Sequence, residues 1–137
     1  MSNPMQLSLR AGERIYINGA VVRVDRKVTL ELLNDVSFLL EAHVLQAEET
    51  TTPLRQLYFV LQAMLVDPPN ATRARALFEH MHPSTLASFS NATVSAGLTS
   101  AAALVSGGRI FDALRTIRSL FEIEDEILSS GNAPKAA

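Results

Sequence analysis

The sequence predicts an α+β fold, a small antiparallel β module followed by a helical bundle, on the strength of one change of period. Across residues 6–41 apolar side chains recur at every second position, the mark of half-buried strands. From about residue 50 they recur at every third and fourth position, the mark of amphipathic helices. The 137 residues divide accordingly into a β module at 6–45, a helical subdomain at 50–130 and a flexible tail at 131–137.

In the first part Leu7 and Leu9 alternate with polar residues, as do Ile15 and Ile17, Val22 and Val24, then Val28, Leu30 and Leu32. Val36, Phe38 and Leu40 close the series. Ala11-Gly12, Asn18-Gly19 and Asn34-Asp35 separate the runs, and Asn-Gly is the strongest of these turn signals because both residues tolerate positive φ. Four or five short antiparallel strands joined as a meander are expected. One apolar face of so small a sheet cannot offset the entropy of ordering it, so the sheet must pack on the helices or on a second copy. A homodimer through the β module is therefore a physical expectation.

Thr51-Thr52-Pro53 reads as a capped helix start with proline in the first turn, where its missing N–H costs nothing. Leu54, Leu57, Tyr58, Leu61, Met64 and Leu65 then share a face, and Asp67-Pro68-Pro69 ends the helix. A second helix is expected from about Thr72, stopped by Pro83, with Ser84 capping a short piece that holds Leu86 and Phe89. A third carries Val94, Leu98, Ala102 and Val105 and ends at Gly107-Gly108. The last runs from about Arg109 to Leu128, burying Ile110, Leu114, Ile117, Phe121 and Leu128.

Composition narrows the function classes. With no cysteine the chain has no disulfide, thiolate metal site or cysteine nucleophile. The opening MSNPMQLSLRAGER lacks an apolar signal core, and no stretch approaches the roughly 18 apolar residues that span a bilayer. A cytoplasmic protein is expected. No G-x-S-x-G elbow or glycine-rich phosphate loop occurs, and His80 and His82 stand two apart, a spacing that does not converge on a helix. No catalytic set and no cofactor are implied; the expectation is a protein that is not an enzyme. The acidic run Glu122-Ile-Glu124-Asp125-Glu126 reads as a solvated helix face, or as a docking face for a basic partner.

Positive charge gathers at one end. Residues 1–30 hold five Lys or Arg against two acids, whereas the chain as a whole carries −2. Arg10, Arg14, Tyr16 and Arg23 lie by parity on the side opposite the aliphatic stripe, and Arg26-Lys27 sits between two strands. Guanidinium groups bind phosphate and read guanine edges, and a tyrosine offers a stacking surface for single-stranded RNA. By charge pattern alone the favoured reading is plainer: a solvated face whose arginines pair with Glu13, Asp25 and Glu31, since edge strands carry charge against aggregation.

Three stretches carry a resemblance: LSLRAGERIYINGAVVRVDRKVTLELLNDVSFLLE, HVLQAEETTTPLRQLYFVLQ and ALVSGGRIFDALRTIRSLFEIEDEIL. Together they resemble the FlbT family of flagellin-synthesis regulators, over about residues 7–128. The resemblance implies binding to the 5′ untranslated leader of flagellin mRNA, with repression of translation or promotion of decay. In some members of that family the effect is activation. It also implies a small flagellar partner of the FlaF type. A fainter likeness lies in Leu7–Ile17, which is similar to the opening strand, Gly-Glu turn and second strand of the CsrA family of translational repressors. That likeness implies an intertwined β dimer reading a GGA-containing leader with basic residues of its first and last strands. Arg10 matches a basic RNA-contacting position before the turn; Leu9 departs from the neighbouring one, and Val36–Glu41 lacks an arginine. Arg14, Arg23, Arg26 or Lys27 would then supply the missing contacts. The alternative is an adaptor of flagellar assembly, in which the helical half docks the FlaF-type partner and effects on mRNA are indirect.

Overall fold

The computed structural model describes residues 5–130, so the tail at 131–137 lies outside the described residues. The α+β architecture is as the change of period predicts: five short strands, then five α-helices. The strands are β1 (Met5–Leu9), β2 (Arg14–Ile17), β3 (Ala20–Arg23), β4 (Val28–Leu32) and β5 (Phe38–Leu40). The helices are α1 (Pro53–Val66), α2 (Ala71–Ala87), α3 (Ala92–Ser106), α4 (Ile110–Arg118) and α5 (Phe121–Ser129).

The strands do not form a meander. Asn18 (φ 47°) and Gly19 (φ 87°) make the expected hairpin between β2 and β3, but β1 pairs with β4 and β5 returns to pair with β2. The result is a two-stranded ribbon, β1-β4, and a three-stranded sheet, β3-β2-β5. Coverage of apolar faces explains the difference, because a single meander sheet would leave one face bare. Here Ile15 and Phe38, on one face of the three-stranded sheet, are buried with Leu9 of β1, and Leu30 and Leu32 of β4 close over them. The opposite face presents Tyr16 and Leu39 to the helices, and Leu39 is fully buried in the larger core. The sheet is thus the middle layer, packed on helices as one of the two expected routes required.

Local chemistry sets the helix ends. The Thr52 hydroxyl accepts from Arg55 N–H (3.2 Å) with Pro53 in the first turn, and the Asn91 side chain accepts from Val94 N–H (3.0 Å). Two helices depart from expectation. α2 does not stop at Pro83 but passes through it to Ala87, and Ser84 caps no separate piece. Phe78 lies buried before the proline and Thr85 and Phe89 after it, so burial on both sides outweighs the one hydrogen bond Pro83 cannot donate. The stretch expected as one helix to Leu128 is broken at Ser119-Leu120 into α4 and α5. There the Ser119 hydroxyl bonds Thr116 C=O (2.6 Å) and Leu120 N–H tightens onto Ile117 C=O (3.0 Å). The bend seats Leu120 against Gly97 of α3, where an added Cβ would lie 2.7 Å from the leucine. In α3 the buried alanine is Ala101, with Ala102 only half-buried.

Arg118, at the end of α4, donates to the Tyr58 hydroxyl (3.1 Å) and so ties the break to α1. The acidic run is not wholly solvated. Glu124 is fully buried: its carboxylate accepts from Leu54 N–H (2.8 Å) at the start of α1 and from Arg55 (3.3 Å), which also grips Asp125 (2.8 and 3.0 Å). A carboxylate at a helix N-terminus meets both free N–H groups and the positive end of the helix dipole. Burial pushes the Glu124 carboxyl up, while Thr52, the Leu54 N–H and Arg55 pull it back.

Two substitutions test these departures. Pro83→Ala restores a backbone donor inside α2 at an exposed position and is expected to raise stability by about 1–3 kcal/mol, read by thermal denaturation. Glu124→Ala strands the Leu54 N–H and one arm of Arg55, with an expected loss of about 3 kcal/mol in the same measurement.

Candidate nucleic-acid interface

Register decides which of the basic residues come together. Leu9 pairs with Val28, so Arg10 and Lys27 flank the same end of the ribbon. Arg14 pairs with Arg23 at the end of the hairpin away from Asn18-Gly19. The Ala11-Gly12 turn, with Gly12 at φ 85°, docks on the segment after β3: Gly12 N–H donates to Val24 C=O (2.8 Å), and Val24 N–H to Glu13 C=O (3.1 Å). That junction draws Arg10, Arg14, Arg23, Arg26 and Lys27 to one end of the β module.

Acids temper this cluster unequally. Glu13 closes the turn by accepting from the Arg10 backbone N–H (2.6 Å) and lies 3.6 Å from the Arg10 guanidinium, whose side chain stays 86% exposed. Asp25 pairs with Arg26 at 3.3 Å, both side chains largely exposed. Arg14 is bound most firmly: its Nε donates to Glu41 at 2.7 Å. Among the described residues Arg23 and Lys27 have no carboxylate within ion-pair distance. Of the three pairings expected for a solvated face, those to Glu13 and Asp25 form, but Glu31 accepts from Gln6 instead (3.3 Å).

Glu41 is the member that sequence reasoning missed. It follows β5 directly, and the register that pairs Ile15 with Leu40 brings Glu41 opposite Arg14. The signal was available only to a reader who knew that β5 returns to β2. The strand is held there from beyond its end: the Tyr58 hydroxyl donates to His43 C=O (2.5 Å), and the Gln62 side chain bonds Leu45 N–H (2.9 Å) and Leu45 C=O (2.7 Å).

Tyr16 does share the face of Arg14 and Arg23, as parity requires, but that face is not an open platform. Leu39 beside it is buried in the helical core, and Tyr16 packs half-buried against the same core. Its ring supports the sheet–helix contact, and the exposed basic surface is the end of the module, not a flat aromatic face. His82, one of the two closely spaced histidines, holds Leu98 C=O at 2.7 Å and so links α2 to α3.

The Arg14 guanidinium, donating to the Glu41 carboxylate, holds that carboxyl below its ordinary 4.5, and the same bond holds Arg14 up. A depressed carboxyl stabilises the fold above its unfolded value, and that contribution fades as pH falls through the lower folded value. The Glu41 carboxyl signal in a nuclear magnetic resonance titration is therefore expected to have its midpoint below 4.5, and to move back up in Arg14→Ala.

Comparison with known proteins agrees with this layout end to end. The family model "Flagellar protein FlbT" matches residues 5–128. The chain is 53% identical over 137 residues to the Probable flagellum biosynthesis repressor protein FlbT of Chelativorans sp. (strain BNC1), covering all of this chain and 94% of that protein. It is 54% identical over 134 residues to the protein of the same name from Rhizobium johnstonii, covering 98% and 90%. With the one from Brucella ovis it shares 54% over 126 residues, covering 92% and 83%. No solved structure matches significantly. Among the described residues no helix is long and apolar enough to cross a membrane. The match spans both the β module and the helices: the chain belongs to the FlbT family of flagellar proteins.

Proposed function

We propose that this protein is a post-transcriptional regulator of flagellin synthesis, acting in the cytoplasm on the 5′ untranslated leader of flagellin mRNA. The observation that carries the reading is the basic end of the β module, where Arg10, Arg23, Arg26 and Lys27 stand exposed within one cluster and two of them lack acid partners. Such a cluster neutralises phosphates, and its guanidinium groups are able to read base edges in an unpaired leader. Occupying a leader near the ribosome site blocks initiation, or exposes the message to decay, by affinity alone. The protein on this reading is a binder and not an enzyme. The names of its relatives, flagellum biosynthesis repressors, support the direction of the effect.

Arg14 contributes less than its neighbours because RNA must compete with Glu41 for its guanidinium. Tyr16 serves the fold and not base stacking. Binding of a labelled flagellin leader across a salt series tests the reading and the lesser role of Arg14. Four phosphate contacts give a log–log slope of about −3 on single strands. Arg23→Ala/Lys27→Ala is expected to flatten that slope by about 1.4 and to weaken binding about tenfold or more, whereas Arg14→Ala changes it less. Glu41→Gln, which frees Arg14, is expected to tighten binding. Equal affinity for a scrambled RNA at physiological salt would sink the reading.

A different observation supports the adaptor reading. Phe59 and Leu77, 37% and 47% exposed, line an open groove of about 410 Å³ between α1 and α2 that ends at Asp67, Asn70 and Arg73. A FlaF-type partner seated there would act on flagellin expression indirectly. Leu77→Glu separates the two: in the adaptor reading it abolishes capture of the purified partner and regulation in cells, with leader binding untouched.

A further inference from the structure

The outer edge of β3 is the least protected backbone of the β module. Every residue of Ala20–Arg23 is exposed, Val21 at 56% and Val22 at 39%, and neither valine belongs to either core. The free edges of β1 and β4 differ: apart from Met5 at the start of β1, their exposed positions are filled by the polar Gln6, Ser8, Thr29 and Glu31. β3 has no proline, and its one charge is Arg23. Edge strands that stay unpaired are normally blunted by such devices.

Hydrogen-bond parity shows what the edge offers. The two-residue hairpin closes on Ile17 and Ala20, and Val24 N–H already donates back to Glu13 C=O. Ala20, Val22 and Val24 therefore turn their backbone groups toward β2, while Val21 and Arg23 turn theirs outward. An antiparallel partner must bond to those two residues. If the partner is the same strand of a second copy, one register satisfies both: Val21 opposite Arg23 of the second copy, and Arg23 opposite its Val21. The two-fold axis then passes between the two Val22 residues, a pair without mutual hydrogen bonds.

Charge favours the same register. Each Arg23 faces a valine and never the other Arg23, so its aliphatic stem covers Val21 while its guanidinium remains in water. On the opposite face the two Val22 side chains meet each other.

We propose that β3 is a homodimerisation edge, at which two copies pair antiparallel through Ala20–Arg23 about a two-fold axis at Val22. The pairing joins two three-stranded sheets into one of six strands in the order β5-β2-β3-β3-β2-β5. It leaves the two basic ends on either side of the axis, pointing away from each other. The inference stands on the edge itself and holds whether or not the basic end binds RNA.

The chain has no cysteine, so single-cysteine variants read the register directly. In the proposed dimer the two Val22 Cα atoms lie about 4.5 Å apart, inside disulfide range, while the two Val21 Cα atoms lie about 8–9 Å apart, outside it. Under mild oxidation of the full-length protein, Val22→Cys is expected to form covalent dimers and Val21→Cys to form few. Sedimentation equilibrium of the unmodified chain is expected to show a monomer–dimer equilibrium. Val21→Lys, which sets a lysine opposite Arg23 of the second copy at two symmetric places, is expected to weaken it about tenfold. A chain that remains monomeric up to about 1 mM overturns the proposal. So does a dimer in which Val21→Cys cross-links as readily as Val22→Cys, or one that Val21→Lys leaves unchanged.

Discussion

β2 is the strand on which both cores depend. Its successive side chains face opposite ways, Ile15 into the small core shared with Leu9 and Phe38, and Tyr16 toward the helical core that holds Leu39. A one-residue slip in this strand would send each side chain to the wrong core. The register is fixed on one side by the Asn18-Gly19 hairpin and on the other by β5, anchored through Tyr58 and Gln62 of α1. The helices therefore do more than cover the sheet. They secure the strand whose end carries Arg14 and, across from it, Glu41.

The same dependence explains the electrostatics. A basic cluster is costly to assemble, and the chain meets that cost with acids placed by structure and not by sequence proximity alone. Glu13 and Asp25 are local partners, while Glu41 arrives through strand pairing. The helical half makes a parallel arrangement around Arg55, which stacks over Phe121 (4.6 Å to the ring centre) and joins Glu124 and Asp125 to the start of α1. One ion network tunes an exposed surface; the other is a clasp between α1 and α5 that reaches from the buried Glu124 out to the exposed Asp125.

How much of this was legible in the sequence follows from the range of each interaction. Strand positions, the Asn-Gly hairpin and the Thr52 cap are local, set by alternation or turn chemistry within a few residues, and the structure agrees with them. The meander failed because pairing of β1 with β4 is decided by which faces need cover, a property of the whole module. Pro83 and Ser119-Leu120 misled for the same reason: burial on both sides of the proline carried α2 onward, and the Gly97 notch bent the last helix where periodicity saw none. The basic cluster was readable as composition, whereas the shielding of Arg14 and the packing of Tyr16 needed the register of β5. Glu124 looked like surface because its neighbours are surface.

The nested pairing of β1 with β4 also bears on how the chain is made. Met5 finds its partner at Leu32 and Ile15 one of its partners at Leu40, so β1 leaves the ribosome without its partner strand, which comes only after the whole β2-β3 hairpin has followed. Cover for Tyr16 and Leu39 waits longer still, for the helices. Vectorial synthesis thus delivers the basic segment before the elements that fix its geometry. During that interval the apolar residues of the strands have no cover, and the arginines that later crowd the module's end give the same segment a net positive charge.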